Sequence, residues 1–213
     1  MIGFVGLVAK RTRSGSTVDT LDPFEDSSGI ALWQFNDDVT DESGNYNGST
    51  STVTYGTGKF GKDAVAGSSS ASVTISEITL TDFGISFWGY PYTQTHMRVC
   101  SNNSPRCIII YHEISQERVK VDIDGSASAS TTFTGSGGWD HFVFTRDGSK
   151  LNIYVNNVLE YNDDSFSENT MRITQLINDA GDMTTASKYT DQMRVFNRGL
   201  TSTEVGKLYT ETK

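Results

Sequence analysis

Residues 141–161, HFVFTRDGSKLNIYVNNVLEY, read as three β-strands joined by two tight turns. Asp147-Gly148-Ser149 makes the first turn and Asn156-Asn157 the second. Asn tolerates the positive φ that a two-residue hairpin demands. Between the turns Leu151, Ile153 and Val155 alternate with other residues and so share one face. Strands this short that return on themselves at once require antiparallel pairing.

The same signature recurs along the chain. IALWQF (30–35) is apolar with partial alternation, SVTISEITL (72–80) has period two, and GISFWGYPY (84–92) carries four aromatic residues. CIIIY (107–111) is a continuous apolar run, as expected of a strand covered on both faces, and RVKVDID (118–124) puts Val119, Val121 and Ile123 on one side. A final strand is predicted at Gln192–Phe196. After it Thr201 reads as an N-cap, Glu204 completes a capping box, and Leu200 with Val205 forms a hydrophobic staple. Leu208 continues the apolar stripe. Glycine is frequent (20 residues) and proline scarce (3), which favours many strands and turns over a helical bundle. About a dozen strands and one short C-terminal helix predict an all-β fold of two packed antiparallel sheets. A length of 213 residues suits one such domain.

Residues 1–28 differ from 29–213. An apolar start leads to Lys10-Arg11-Thr12-Arg13 and then a Ser/Thr/Asp stretch ending at Ser28. One reading is a disordered leader. The sharper reading is an arm that docks the domain on a larger assembly, because its apolar tip is costly to leave in water. The order, apolar first and basic second, is the reverse of a secretory signal. No stretch is long enough for a membrane-spanning helix. A net charge of −9 argues against a nucleic-acid partner held through phosphates. Cys100 and Cys107 bracket a turn that a disulfide could span, but two cysteines in so long a chain are not a disulfide framework, and free thiols are the preferred reading.

Five elements occur in an order that resembles the concanavalin A-like, laminin-G-type jelly-roll family. They are ALWQFNDDVTDESGNYNGS (31–49), GKFGKDAV (58–65), FGISFWGYP (83–91), GWDHFVFTRDGSKLNIYVNNVLEY (138–161) and DQMRVFNRGL (191–200). The resemblance implies a two-sheet antiparallel jelly-roll sandwich with the last strand paired centrally, near the first strand, and the helix capping it. It also implies a Ca²⁺ ion held by Asp41, Asn45 and Asp191, oxygen donors of the kind that ion takes. The alternative for Asp41 and Asn45 is turn formation by Asx side chains. His141, beside Trp139, matches a position that is mostly structural.

Glycosidases of this fold need paired carboxylates. Asp122 and Asp124 are the nearest candidates, but their strand ends at Gly125 and solvent-facing acids explain them better. Trp88, Tyr90 and Tyr92 share a face; Trp88 is expected in the interior, while Tyr90 and Tyr92, with Asn102 and Asn103, would line a sugar-binding rim.

The expectation is a non-enzymatic bacteriophage structural protein, as capsid decoration, head fibre or tail fibre. It would be made in the host cytoplasm without a secretion signal and used on the virion. Residues 1–28 would contact other virion proteins, the domain would contact a host-surface glycan, and homo-oligomers such as trimers would supply avidity. The alternatives are a polysaccharide depolymerase and a carbohydrate-binding module of a bacterial protein.

Overall fold

The structure, a computed structural model, describes residues 20–61, 65–91, 96–100, 107–113, 116–123, 127–166, 170–178 and 188–211. Thirteen strands and one helix lie among them. In chain order these are β1 (Gly29–Trp33), β2 (Ser49–Tyr55), β3 (Val65–Leu80), β4 (Phe83–Pro91), β5 (His96–Cys100), β6 (Cys107–Glu113) and β7 (Gln116–Ile123). They continue as β8 (Ala127–Phe133), β9 (Asp140–Asp147), β10 (Lys150–Val155), β11 (Val158–Asp163), β12 (Met171–Asn178), β13 (Lys188–Phe196) and α1 (Ser202–Tyr209).

The fold is the predicted antiparallel sandwich. One layer is built on β11-β10-β9-β4-β13, with β1 beside β13. The other is built on β3-β12-β5-β6-β7-β8, with β2 beside β3. The ladder is continuous because the long strand β3 pairs with β13 through Val65–Gly67 and with β12 further along. Ile85, Phe87, Phe142, Phe144, Leu151 and Ile153 of the first layer meet Val73, Ile75, Ile173, Val119 and Phe133 of the second in one buried cluster. Phe87 stacks on Phe142 and Phe144 with centroids 5.6 and 6.1 Å apart. The hairpin turns form as expected: Gly148 has φ 58°, and Asn156 and Asn157 have φ 50° and 66°.

Two expectations need correction. The last strand begins at Lys188, four residues before Gln192, and a bulge between Asp191 and Arg194 puts Gln192 at φ 50°. The bulge breaks the period-two pattern, which is why the sequence shows only the second half of the strand. The 72–80 alternation is the C-terminal half of a longer strand. Residues 20–28, the end of the expected arm, pack against the domain. Phe24 packs on Phe196 with centroids 5.2 Å apart, Asp26 accepts from Arg198 Nε at 2.8 Å, and the Thr20 carbonyl accepts from Arg194 Nε at 3.2 Å. The rest of the expected arm, residues 1–19, lies outside the described residues.

Helix α1 lies on the outer face of the first layer, where Leu200, Val205 and Leu208 join Val143, Tyr154 and Phe196. Gly84 makes this close approach feasible, since a Cβ there would sit 2.6 Å from Leu200 Cγ. Both arms of the Thr201–Glu204 capping box are formed. Thr201→Ala should lower stability by about 1 kcal/mol, measured by urea denaturation; an unchanged midpoint would mean that the helix is held by packing alone.

Candidate functional site

β9, β4 and β13 are neighbours, and alternation along β4 sends Ile85 and Phe87 into the core while Ser86, Trp88 and Tyr90 take the outer face. At one end of this face an aromatic row forms. Tyr90 is the register partner of Tyr189, and Trp139 immediately precedes Asp140, the partner of Gly89. The three rings contact one another, with centroids 5.5 Å (Tyr90–Trp139), 6.2 Å (Tyr90–Tyr189) and 6.4 Å (Trp139–Tyr189) apart. All three are half-buried. Trp88 lies deeper, as expected, at 4% exposure; Phe60 meets it edge-on, Tyr209 stacks on it, and Lys59 Nζ sits 4.2 Å from its ring centroid.

Two buried carboxylates hold the loops that frame the row. Asp140 Oδ1 accepts from Ser136 N at 2.9 Å and from Asn156 Nδ2 at 2.7 Å, fixing the Ser136–Trp139 turn. Asp191 Oδ2 accepts from Phe60 N at 2.9 Å, fixing the loop that carries Lys59. Glycines sit against the rings: a Cβ on Gly56 would lie 3.0 Å from Tyr189 Cε1, and one on Gly138 3.7 Å from Tyr90 Cε2. The result is a fixed set of aromatic surfaces with hydroxyl and indole N–H groups at their edges, suited to an amphipathic ligand.

Behind the row His141 is fully enclosed. Its Nε2 lies 2.9 Å from Ser86 Oγ, its ring is 4.9 Å from Trp88, and no described group partners its Nδ1. Burial, reinforced by the positive charges of Arg194 and Lys59, pushes its pKa down to about 3. Ser86 is 1% exposed, so this Ser–His pair is sealed from any substrate and is part of the packing.

The concanavalin A-like lectin/glucanases superfamily matches over residues 65–206, from the start of β3 into α1. The chain belongs to this superfamily. No curated protein matches it. Among solved structures, domain 4 of the extracellular arabinanase AbnA from Geobacillus stearothermophilus, in complex with arabinotriose, is similar with a TM-score of 0.64 and 19% identity, covering 84% of this chain and 97% of that one. The ligand-binding domain of botulinum neurotoxin serotype D, in complex with N-acetylneuraminic acid, gives 0.66 and 14%, covering 91% and 52%. The binding domain of Paraclostridial Mosquitocidal Protein 1 gives 0.59 and 16%, covering 84% and 51%. At these identities the likeness is one of fold.

Within this concanavalin A-like frame Asp41 takes the turn-forming role given above as the alternative to Ca²⁺. It is 2% exposed. Its Oδ1 accepts from Leu32 N (2.9 Å) and Ser43 N (3.2 Å), and its Oδ2 from Tyr46 N (3.0 Å), Asn45 N (3.2 Å) and the Ser43 hydroxyl. Five donors thus meet the lone pairs of this one carboxylate within its turn and the adjoining strand. Asn47, absent from the expected set, accepts from Asp41 N at 2.9 Å. Asn45 is exposed, and Asp191 holds the Phe60 loop. Among the described residues no group of three or more His, Cys, Asp or Glu could hold a metal ion, and no helix is long and apolar enough to cross a membrane. Of the expected sugar-binding residues only Tyr90 is described; Tyr92, Asn102 and Asn103 lie outside the described residues, as does Asp124 of the acid pair. Trp139 and Tyr189 were not expected in the site. Neither ring's proximity to Tyr90 is visible without the strand order.

Proposed function

We propose that this superfamily member is a non-catalytic carbohydrate-binding domain, and that Tyr90, Trp139 and Tyr189 form its sugar-stacking surface. The observation that carries the reading is the convergence of three half-buried rings from three neighbouring strand segments, framed by loops that Asp140 and Asp191 anchor. Sugar rings present C–H faces to stack on aromatic surfaces and hydroxyls to meet polar edges. The arabinotriose and N-acetylneuraminic acid in the two similar domains support a glycan as the ligand class. A non-catalytic role is supported by the sealing of Ser86 and His141.

Screening the protein on a glycan array, followed by calorimetry on the best hit, tests this reading. Trp139→Ala and Tyr189→Ala should each weaken binding about tenfold or more, about 1.4 kcal/mol, with the far-UV spectrum unchanged. Unchanged affinity in both variants would remove the site, and turnover of the bound polysaccharide would return the depolymerase.

The proposed setting is the surface of a bacteriophage particle, where many weakly binding copies act together. It rests on the likeness of the five sequence elements to a branch of the family found in many bacterial and viral surface proteins. Mass spectrometry of purified particles, with cryo-EM of their surface, tests it: the chain should be found at high copy number, and its absence from particles would leave a bacterial carbohydrate-binding module.

A further inference from the structure

We infer that Lys59 makes the aromatic surface selective for acidic sugars, its ammonium meeting the carboxylate of a uronate or sialate residue; the inference rests on the sugar-binding reading of Tyr90, Trp139 and Tyr189. Lys59 is exposed and belongs to the loop that Asp191 fastens through Phe60 N at 2.9 Å. Its Nζ lies 4.2 Å from the centroid of the Trp88 ring. Trp88 and Phe60 form one apolar cluster, and Trp139 packs against it. Tyr90 follows Trp88 on the same face of β4, about 7 Å further along the strand. The ammonium therefore stands at the border of the aromatic row.

The described chain does not neutralise this charge. Arg194 pairs with Glu211, Arg198 with Asp26 and Glu204, Arg172 with Glu77, and Lys150 with Asp164. Among the described residues Lys59 joins no ion pair; its recorded contact is the face of Trp88. An ammonium carries three N–H donors and no acceptor. The ring meets one side of the group and leaves donors for a ligand, while cation–π attraction holds it in place before the ligand arrives.

Sugar hydroxyls accept from such a group, but a charged acceptor makes the bond roughly twice as strong. That difference favours a carboxylated sugar over a neutral one. The net charge of −9 opposes an anionic ligand at long range. Salt screens that field over about 8 Å at physiological ionic strength, whereas a contact pair at Lys59 lies inside this distance. Because Lys59 is exposed, the selectivity is modest, roughly threefold to fivefold for an acid over its neutral ester.

The test is calorimetry with trigalacturonic acid and with sialyllactose, each beside its methyl ester, at low salt. The protein should bind at least one acid roughly threefold to fivefold more tightly than its ester, and the acid that shows the difference identifies the source as uronate or sialate. The preference should vanish in Lys59→Met, which keeps an apolar stem over Trp88, and persist in Lys59→Arg. It should also collapse in about 1 M salt, where the screening length is about 3 Å. Trp139→Ala should weaken acid and ester alike. Equal affinity for acid and ester, a preference that survives Lys59→Met, or binding of neutral glycans alone would each overturn the inference, and loss of binding in Trp139→Ala would then still uphold the stacking surface. If Trp139→Ala and Tyr189→Ala both bind as the parent does, the stacking surface itself falls and the inference with it.

Discussion

Replacing Glu211 by Gln should destabilise the folded chain by about 3–5 kcal/mol, a fall in Tm of roughly 10 °C. Arg194 in β13 has only 2% of its side chain exposed, and its Nη1 lies 2.7 Å from Oε2 of Glu211, whose side chain is 5% exposed. Arg194 Nε also donates to the Thr20 carbonyl. One guanidinium in the central strand thus holds the segment that enters the domain and the segment that leaves helix α1. The Gln variant keeps the shape but removes the negative charge that meets this buried cation at 2.7 Å. Arg194→Met combined with Glu211→Leu should recover most of the loss, since the desolvation of both ions disappears with their attraction. Thermal melts of the parent, single and double variants measure this. A single variant melting within about 1 °C of the parent would show that the pair is not held as the geometry implies.

Acidification should destabilise the protein through His141, and His141→Gln should blunt the effect. In the unfolded chain the imidazole titrates near 6.5; enclosed beneath Trp88 and Tyr209 it resists protonation until about pH 3. Charging it makes both ring nitrogens donors, and no described acceptor waits at Nδ1. Between these values the unfolded state binds the extra proton. The contribution is therefore complete above about pH 6.5 and is lost as the pH falls toward 3, by up to about 1.4 kcal/mol per pH unit. Hydrogen bonds to Asp26 and Glu204 hold those carboxyls below their ordinary range, so they weaken the fold in the same direction at lower pH. Comparing parent and variant isolates the histidine. Urea midpoints from pH 7 to pH 4 should fall less steeply for His141→Gln, and parallel profiles would mean that His141 accepts its proton in the folded state.

Much of the fold is legible because its signals are local. The Asn156-Asn157 turn, the buried face of Leu151, Ile153 and Val155, and the capping box at Thr201 and Glu204 each depend on residues within a few positions of one another. The bulge at Gln192 is not legible, because a single extra residue in a ladder breaks the periodicity that announces a strand. Phe24 likewise reads as leader until Phe196, 172 residues later, supplies the surface it covers.

The sequence by itself determined an antiparallel all-β chain, the place of its hairpins and terminal helix, and the burial of Trp88 and His141, since propensity, turn chemistry and alternation act over short distances. Only the tertiary structure decided that Asp41 spends its lone pairs on its own loop, that Cys100 faces Cys107 in register, and that Tyr90, Trp139 and Tyr189 stand side by side. Those three outcomes depend on strand order and register, which are set by the packing of two whole layers around one core and not by the residues that come to meet.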